Sequence, residues 1–341
     1  MSAQKLVIAG GSGFLGQSLV AWFVPRGWDV VVLSRQPARS TAGERIVVWD
    51  GVTLGDWVGE LDWAAALVNL AGRSVNCRYH ARNRRQMMDS RILSTRILGE
   101  AIARSSRPPA VWLNSSTATI YKHSYDRPMD EATGVIGATP EAKDAFSIEI
   151  ATAWEREFAQ AITCGTRKVI MRTAMVLGPQ AGTVYRVLRR LARWRLGGPM
   201  AGGRQYISWL HETDFCRAIE WLIEREDFCG VVNLTAPQPI TNRHMMRAMR
   251  RAVHMPIGLP ATRWMLEIGT WFLRTESELV IKSRRVVPGR LTAAGFHFKY
   301  PTIDSAIAEL EHRLRGKRLG DPAEAPAKSH ESESSAATMH A

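Results

Sequence analysis

The sequence predicts an α/β fold, a doubly wound parallel sheet followed by a smaller α/β C-terminal lobe. Three observations predict it. Short apolar runs alternate with helical stretches through the first 115 residues. A glycine-rich turn stands between the first such run and the first helix. Beyond about Pro179 the alternation loosens into arginine-rich helices and a second glycine cluster.

Taken in order, Leu6 to Ala9 reads as a buried strand, short and apolar throughout. Phe14 to Val24 has apolar residues at helical spacing, and Pro25 with Gly27 closes that helix. Asp29 to Leu33, Arg45 to Trp49 and Ala66 to Leu70 are the next three strands. A long helix runs from about Asn83 to Ala103, and Pro108-Pro109 ends the linker before a strand at Val111 to Asn114. Glu149 to Ile162 is helical and Lys168 to Arg172 is a strand. Thr183 to Leu196 is a basic helix, leading into a flexible loop at Gly197 to Gly203. A helix at Asp214 to Glu226, with Thr213 or Asp214 as its cap, precedes a strand at Val231 to Leu234 that returns to the sheet. A helix at Asn242 to Val253 follows. After Gly289 the chain reads as strand-like or irregular until a last helix from about Ile303 to Leu314. These segments predict a sheet domain over residues 1–180 and a smaller lobe over 181–312. The Ala-, Glu-, Ser- and Pro-rich residues 313–341 read as a disordered tail.

The bulk numbers fit a soluble globular protein of 341 residues with a net charge of +13. No apolar run reaches the roughly 18 residues of a membrane span, and Met1 to Gln4 lacks the layout of a secretory signal. Cys77, Cys164, Cys216 and Cys229 are scattered, without zinc spacing, and read as reduced thiols of a cytoplasmic protein that holds no metal. The excess charge is mostly arginine on helix faces, such as Arg189, Arg190, Arg193 and Arg195. No nucleic-acid-binding motif accompanies it, so the reading is solvated faces that also steer anionic ligands, with no specific nucleic-acid partner. Trp264, Met265, Ile268, Trp271 and Phe272 form an amphipathic stripe, read as a core or lobe interface and not as a membrane anchor. The expected assembly is a monomer or homodimer.

Gly10-Gly11-Ser12-Gly13-Phe14-Leu15-Gly16 opens the first helix. There Gly10 permits the tight turn, Gly13 lets the backbone approach a pyrophosphate, and Gly16 lets helix and strand pack closely. The free N–H groups at the helix start, at Phe14 and Leu15, would meet the anion. The second strand ends in Ser34-Arg35, where an NAD site usually has an acid for the ribose hydroxyls. A guanidinium there suits a ribose phosphate, which points to NADP(H); the alternative is an exposed loop arginine. Leu70, Ala71 and Gly72 end the fourth strand where the cofactor would pass. Asp50 either accepts from the adenine amine or caps its own loop.

These residues resemble the extended short-chain dehydrogenase/reductase superfamily, and within it the atypical epimerase family proteins with a C-terminal domain of unknown function, DUF1731. The resemblance includes Asn69-Leu70-Ala71-Gly72, Asp89-Ser90-Arg91, Val169 to Pro179, Gly197 to Gln205 and Ser208 to Asp214. From about residue 255 it extends to the C-terminal domain, carried by Val287 to Leu291 and Ala294 to Phe298. It implies a Rossmann fold, a nicotinamide cofactor and a small-molecule carbonyl or sugar-like substrate held under the second lobe. Typical members use a Tyr and a Lys four residues later on one helix, with a Ser or Thr at the preceding strand end, for proton exchange beside the nicotinamide. Here Ser115-Ser116-Thr117 resembles that strand end, with Ser115 on the cofactor and Thr117 in the place of the catalytic hydroxyl. Counting back from Glu155 puts Ser147 at the Tyr position and Ala151 at the Lys position.

Tyr121 is then either a replacement proton donor or a pocket-wall or packing residue, and Thr117 either faces substrate or caps the strand end. Arg204 and Gln205, after the glycine-rich loop, are candidate substrate contacts, and His211 braces that loop. Besides a basic nucleic-acid-associated protein that kept the fold, which rests on net charge alone, two functions remain open. One is an NADP(H)-dependent oxidoreductase or epimerase with a non-standard proton donor; the other is a non-catalytic NADP(H)-binding sensor or scaffold.

Overall fold

A computed structural model of the chain describes residues 3–262, 264–266 and 278–316. Its strands are β1 (Lys5–Ala9), β2 (Asp29–Ser34), β3 (Arg45–Val48), β4 (Ala64–Asn69), β5 (Val111–Thr117), β6 (Arg167–Thr173), β7 (Met175–Leu177), β8 (Tyr206–Ile207), β9 (Trp209–His211), β10 (Gly230–Leu234) and β11 (Ile240–Thr241). The principal helices are α1 (Phe14–Phe23), α2 (Ala81–Arg104), α3 (Ala145–Gln160), α4 (Val184–Arg193), α5 (Glu212–Glu224), α6 (Asn242–Ala252) and a C-terminal helix (Ile303–Gly316).

Seven strands form one sheet in the order β3-β2-β1-β4-β5-β6-β10, and every neighbouring pair is parallel. β1 lies between β2 and β4, so the strand order reverses there and a crevice opens at the carboxyl ends of those strands. Successive side chains leave a strand on opposite faces. Leu6 and Ile8 enter one core with Leu19 and Phe23 of α1 and Phe215, Ile219 and Leu222 of α5. Val7 and Ala9 enter the other with Leu98 of α2, Trp112 of β5 and Phe158 of α3. Burial on both faces is why these strands read as unbroken apolar runs. Burying a side chain such as Phe23 or Phe158 contributes about 1.5–3 kcal/mol. A third core gathers Leu177, Tyr185, Trp209, Met245, Met249, Ile307 and Leu310 between α4, α6 and the C-terminal helix.

Several expectations are corrected. α5, placed by sequence in the smaller lobe, packs on the sheet; Trp22 of α1 donates to Glu220 of α5 at 3.0 Å. A short helix at Gly289–Ala293 replaces the expected irregular stretch, and its Leu291 joins the same core with Phe296. α5 starts two residues earlier than its apolar pattern indicates, because His211 caps it and accepts from the Thr213 N–H at 3.1 Å. Asp214 instead receives the backbone N–H groups of Lys299 and Tyr300 at 2.7 and 2.8 Å. Arg189 is not solvated: its guanidinium donates to Glu311 at 2.9 Å, and the Tyr185 hydroxyl donates to the same carboxylate at 2.6 Å.

Trp264 and Met265 are exposed, while Ile268, Trp271 and Phe272 and the expected tail beyond Gly316 lie outside the described residues. Among the described residues no helix is long and apolar enough to cross a membrane.

Candidate active site

The glycine turn after β1 is shaped by contacts that no side chain tolerates. Gly10 has φ 76° and donates to the carbonyl of Leu33 at 3.0 Å, and a Cβ there would lie 2.7 Å from the Ala71 Cα. A Cβ on Gly16 would lie 2.3 Å from the Cα of Gly11, so α1 starts in direct backbone contact with the turn. Gly13 precedes α1 without a side-chain cap, and the first turn carries no acid. The amides of that turn are therefore left for an external anion.

From this turn a cleft of about 530 Å³ runs across the carboxyl ends of the strands. Gly10, Gly13, Phe14, Leu15 and Gly16 form one end, and Leu70 and Gly72 form a wall. Ser115, Ser116, Thr117, Thr119 and Ser147 lie along the rest. The structure thus brings together most of the residues singled out in the sequence. Ala71 stands behind this surface: it backs Gly10, and its N–H is held by Asn69 Oδ1 at 3.0 Å. Asn69 in turn donates to Asn114 Oδ1 at 2.7 Å, which locks the ends of β4 and β5 together.

Ser34 and Arg35 leave β2 beside the glycine turn, since Gly10 is bonded to Leu33. Ser34 is buried and its Oγ accepts from the Gln36 N–H at 3.3 Å. Arg35 is exposed, with no hydrogen bond or ion pair to another described residue. Of the two readings of Asp50, the structure shows the loop cap: its carboxylate accepts from the N–H groups of Val52 and Thr53, both at 2.8 Å, and from the Thr53 hydroxyl. Those bonds hold its pKa below the usual range and brace its own turn.

Tyr121 is corrected as a proton donor. It is 2% exposed, lies in a core with Ala118, Ala151 and Val286, and does not line the cleft. Its hydroxyl donates to Asn233 Oδ1 and accepts from the Arg172 guanidinium, both at 3.0 Å. Burial pushes its pKa above the ordinary phenol value despite the nearby arginine. Thr117 does line the cleft, and its Oγ1 accepts from the Thr119 N–H at 3.1 Å. It therefore caps the strand end with a lone pair and keeps its own proton to donate. Ser147 lines the cleft one turn before Ala151, which is fully buried.

The two candidate substrate contacts are also corrected. Gln205 is 2% exposed, and its amide donates to the carbonyls of Met200 and Val280 at 3.0 and 3.1 Å. Arg204 is exposed and faces the Tyr125 ring, 6.0 Å away. Neither lines the cleft, because the loop at 197–203 is not free to present them. It is pinned by Met200 N–H to Asn242 Oδ1 at 2.8 Å and Ala201 N–H to the Ala261 carbonyl at 2.8 Å. His211 does not brace this loop; its Nε2 bonds Glu309 of the C-terminal helix at 2.8 Å.

Sequence reasoning missed the charged groups of the cleft. Arg73 and Arg91 line it beside Tyr79 and Trp154, and no Asp or Glu among the described residues does. Arg73 donates to Asn83 Oδ1 at 3.0 Å and to Gln86 Oε1. Arg91 donates to the Met87 carbonyl at 2.9 Å and lies over the Trp154 ring at 5.2 Å. The available signal was helical: Arg91 is four residues after Met87 and seven before Leu98, on the buried stripe of α2. Lys282 was also missed. Fully buried, it pairs with Asp144 at 2.5 Å and donates to the carbonyl of Thr119, fixing the turn after β5.

Comparison with known proteins places this geometry. The sequence pattern of the NAD dependent epimerase/dehydratase family matches residues 6–234, and that of a domain of unknown function, DUF1731, matches residues 261–310. The epimerase family protein Mb2239 of Mycobacterium bovis is 32% identical over 315 residues, covering 90% of this chain and 97% of that protein. The epimerase family protein SDR39U1 of Bos taurus is 28% identical over 310 residues, covering 90% and 99%. Among solved structures, human SDR39U1 (isoform 2), crystallised with NADPH, superposes with a TM-score of 0.78 at 25% identity. That match covers 91% of this chain and 100% of the other.

Proposed function

The chain belongs to the NAD-dependent epimerase/dehydratase family, and from that premise we propose that it binds NADP(H) along the cleft as an oxidoreductase or epimerase of the extended short-chain dehydrogenase type. Its substrate in this reading is a carbonyl or sugar-like small molecule. The observation that carries it is the continuity of one cleft, from the uncapped start of α1 to Thr117 and Ser147. The cradle fits a dinucleotide: at Gly10 and Gly16 a Cβ would collide with backbone, and the first-turn amides await an anion. Arg35, beside that turn, favours a 2′-phosphate over bare ribose hydroxyls. The NADPH in the human relative supports the same choice.

When bound, the nicotinamide supplies hydride transfer. Thr117 would donate its hydroxyl proton as a hydrogen bond to the substrate oxygen, and Ile150 and Trp154 would exclude water from that end. α3 carries neither tyrosine nor lysine, so the usual acid–base pair has no counterpart on it. A second reading, a non-catalytic NADP(H) sensor, is favoured by Ala151, whose packing fills the lysine position.

Calorimetric titration with NADPH and NADH, repeated on Arg35→Ala, tests the cofactor. Tighter binding of NADPH, weakened about tenfold or more by the substitution, is the expected result; no binding of either cofactor rejects the proposal. A carbonyl and sugar screen with NADPH then separates the readings. Turnover supports the enzyme, whereas different affinities for NADPH and NADP+ without turnover select the sensor.

A further inference from the structure

We propose that the C-terminal lobe carries a docking surface for an anionic lipid bilayer, formed by two apolar turns, Trp194 to Leu196 and Ile257 to Leu259, set in a field of arginines. Neither turn contributes a lining residue to the cleft, and the inference does not depend on the function proposed above.

The two turns adjoin. The Leu259 N–H donates to the Arg195 carbonyl at 2.7 Å, and the Gly198 N–H donates to the Leu259 carbonyl at 3.1 Å. A Cβ on Gly258 would lie 2.6 Å from the carbonyl carbon of Gly197, so the backbones touch there. Arg250 of α6 donates to the Gly197 carbonyl at 2.6 Å and ties the first turn to the lobe. These bonds hold four large apolar side chains outside the core: Trp194, Leu196, Ile257 and Leu259 are between 46% and 64% exposed. Single exposed apolar residues are ordinary, but several on adjoining turns mark an interaction site.

The charge around them has one sign. Residues 181–211 and 228–266 contain no Asp or Glu. α6 buries Met245, Met246, Ala248 and Met249, which turns Arg243, Arg247 and Arg250 to the opposite side at helical spacing. Arg243 donates to the Gly202 carbonyl at 3.2 Å and Arg250 to that of Gly197, so this stripe flanks the same loops. Arg190 of α4 lies over the Trp194 ring at 5.3 Å. No carboxylate among the described residues pairs with Arg190, Arg195, Arg243 or Arg247. The acids of the C-terminal helix are engaged elsewhere, Glu311 with Arg189 and Asp304 with His244. A polyanion such as RNA would satisfy the arginines but leave the apolar tips in water. A bilayer of anionic lipid satisfies both, because headgroups take the guanidinium groups while the four apolar side chains enter the boundary with the acyl chains. Such docking needs no spanning helix, and none is present among the described residues.

The test is flotation of the full chain with vesicles of phosphatidylcholine alone and with vesicles containing about one-third phosphatidylglycerol. The protein is expected to float with the anionic vesicles only, and less so as salt is raised. A chain of net charge +13 adheres to many polyanions, so the apolar turns decide the matter. Trp194→Ala combined with Leu259→Ala should weaken vesicle binding about tenfold or more at unchanged charge. Arg190→Gln and Arg247→Gln should each weaken it about fivefold. All four side chains are exposed, so these variants should melt close to the wild type. Ile257→Ser tests the same apolar contact should the double variant not fold. No flotation of the wild-type protein with anionic vesicles overturns the proposal. So does flotation that the apolar variants leave unchanged; the surface then binds polyanions by charge alone, which equal retention of wild type and apolar variant on RNA would show.

Discussion

The guanidinium of Arg172 and the carboxylate of Glu155 meet through two hydrogen bonds, at 2.8 and 2.7 Å, and the Tyr121 hydroxyl adds a third contact to the arginine at 3.0 Å. Ser116 Oγ donates to the same carboxylate at 2.6 Å. This buried group joins α3, β5 and β6 directly behind the wall formed by Ser115 and Thr117. Removing one partner leaves the other charge desolvated. Glu155→Gln should therefore cost about 3–5 kcal/mol in chemical denaturation, far more than an exposed pair would.

The two hydroxyls considered for proton donation should separate cleanly. Tyr121→Phe removes one hydrogen bond from Arg172 and one from Asn233, and should lower stability by about 1–3 kcal/mol while leaving NADPH binding unchanged. Thr117→Val removes the hydroxyl in the cleft together with the bond from the Thr119 N–H. It should cost only about 1 kcal/mol of stability but abolish most turnover wherever a substrate is found. Thermal melts and steady-state rates on both variants check this, and a Tyr121→Phe protein that folds but loses turnover would contradict it.

Gly16→Ala adds a Cβ that meets backbone at 2.3 Å, a contact that no rotamer change relieves. The turn must move away from α1, so NADPH affinity should fall by about tenfold or more even in molecules that remain folded. Fluorescence titration of the folded fraction reads this directly.

Acid sensitivity should trace in part to the loop between β2 and β3. Burial works against the charge of Glu44, but the N–H groups of Thr41 and Ala42 and the Ser40 hydroxyl outweigh it. They hold its carboxyl at about 2, against an ordinary 4.5. A depressed carboxyl contributes its full stability above pH 4.5 and loses it as pH falls toward 2. Glu44→Gln should melt below the wild type at neutral pH, and the gap should close across that window.

Much of this was legible along the chain because parallel strands buried on both faces leave an unmistakable local pattern. Leu6 to Ala9, Val30 to Leu33 and Val111 to Leu113 are strand segments because their side chains on both faces are apolar. The glycine turn was equally visible, since close backbone approach demands glycine at fixed spacing. What stayed hidden concerns polar groups whose partners are distant in sequence. Gln205 has the composition of a ligand contact, but the carbonyl of Val280, 75 residues on, takes its amide. Tyr121 follows the catalytic-type strand end, yet Asn233, 112 residues away, fixes its hydroxyl inside the core.

The sequence by itself determined the α/β architecture and the glycine turn, because each depends on local periodicity or on steric limits of adjacent backbone; the place of Thr117 followed from the resemblance of Ser115-Ser116-Thr117 to the family's strand end. Only the tertiary structure decided which charges are neutralised. Arg172, Arg189 and Arg91 are alike as residues; Glu155 reaches the first, Glu311 the second, and no described acid the third. The reason is that an ion pair forms through space at a few ångströms, over separations in the chain that no local pattern records.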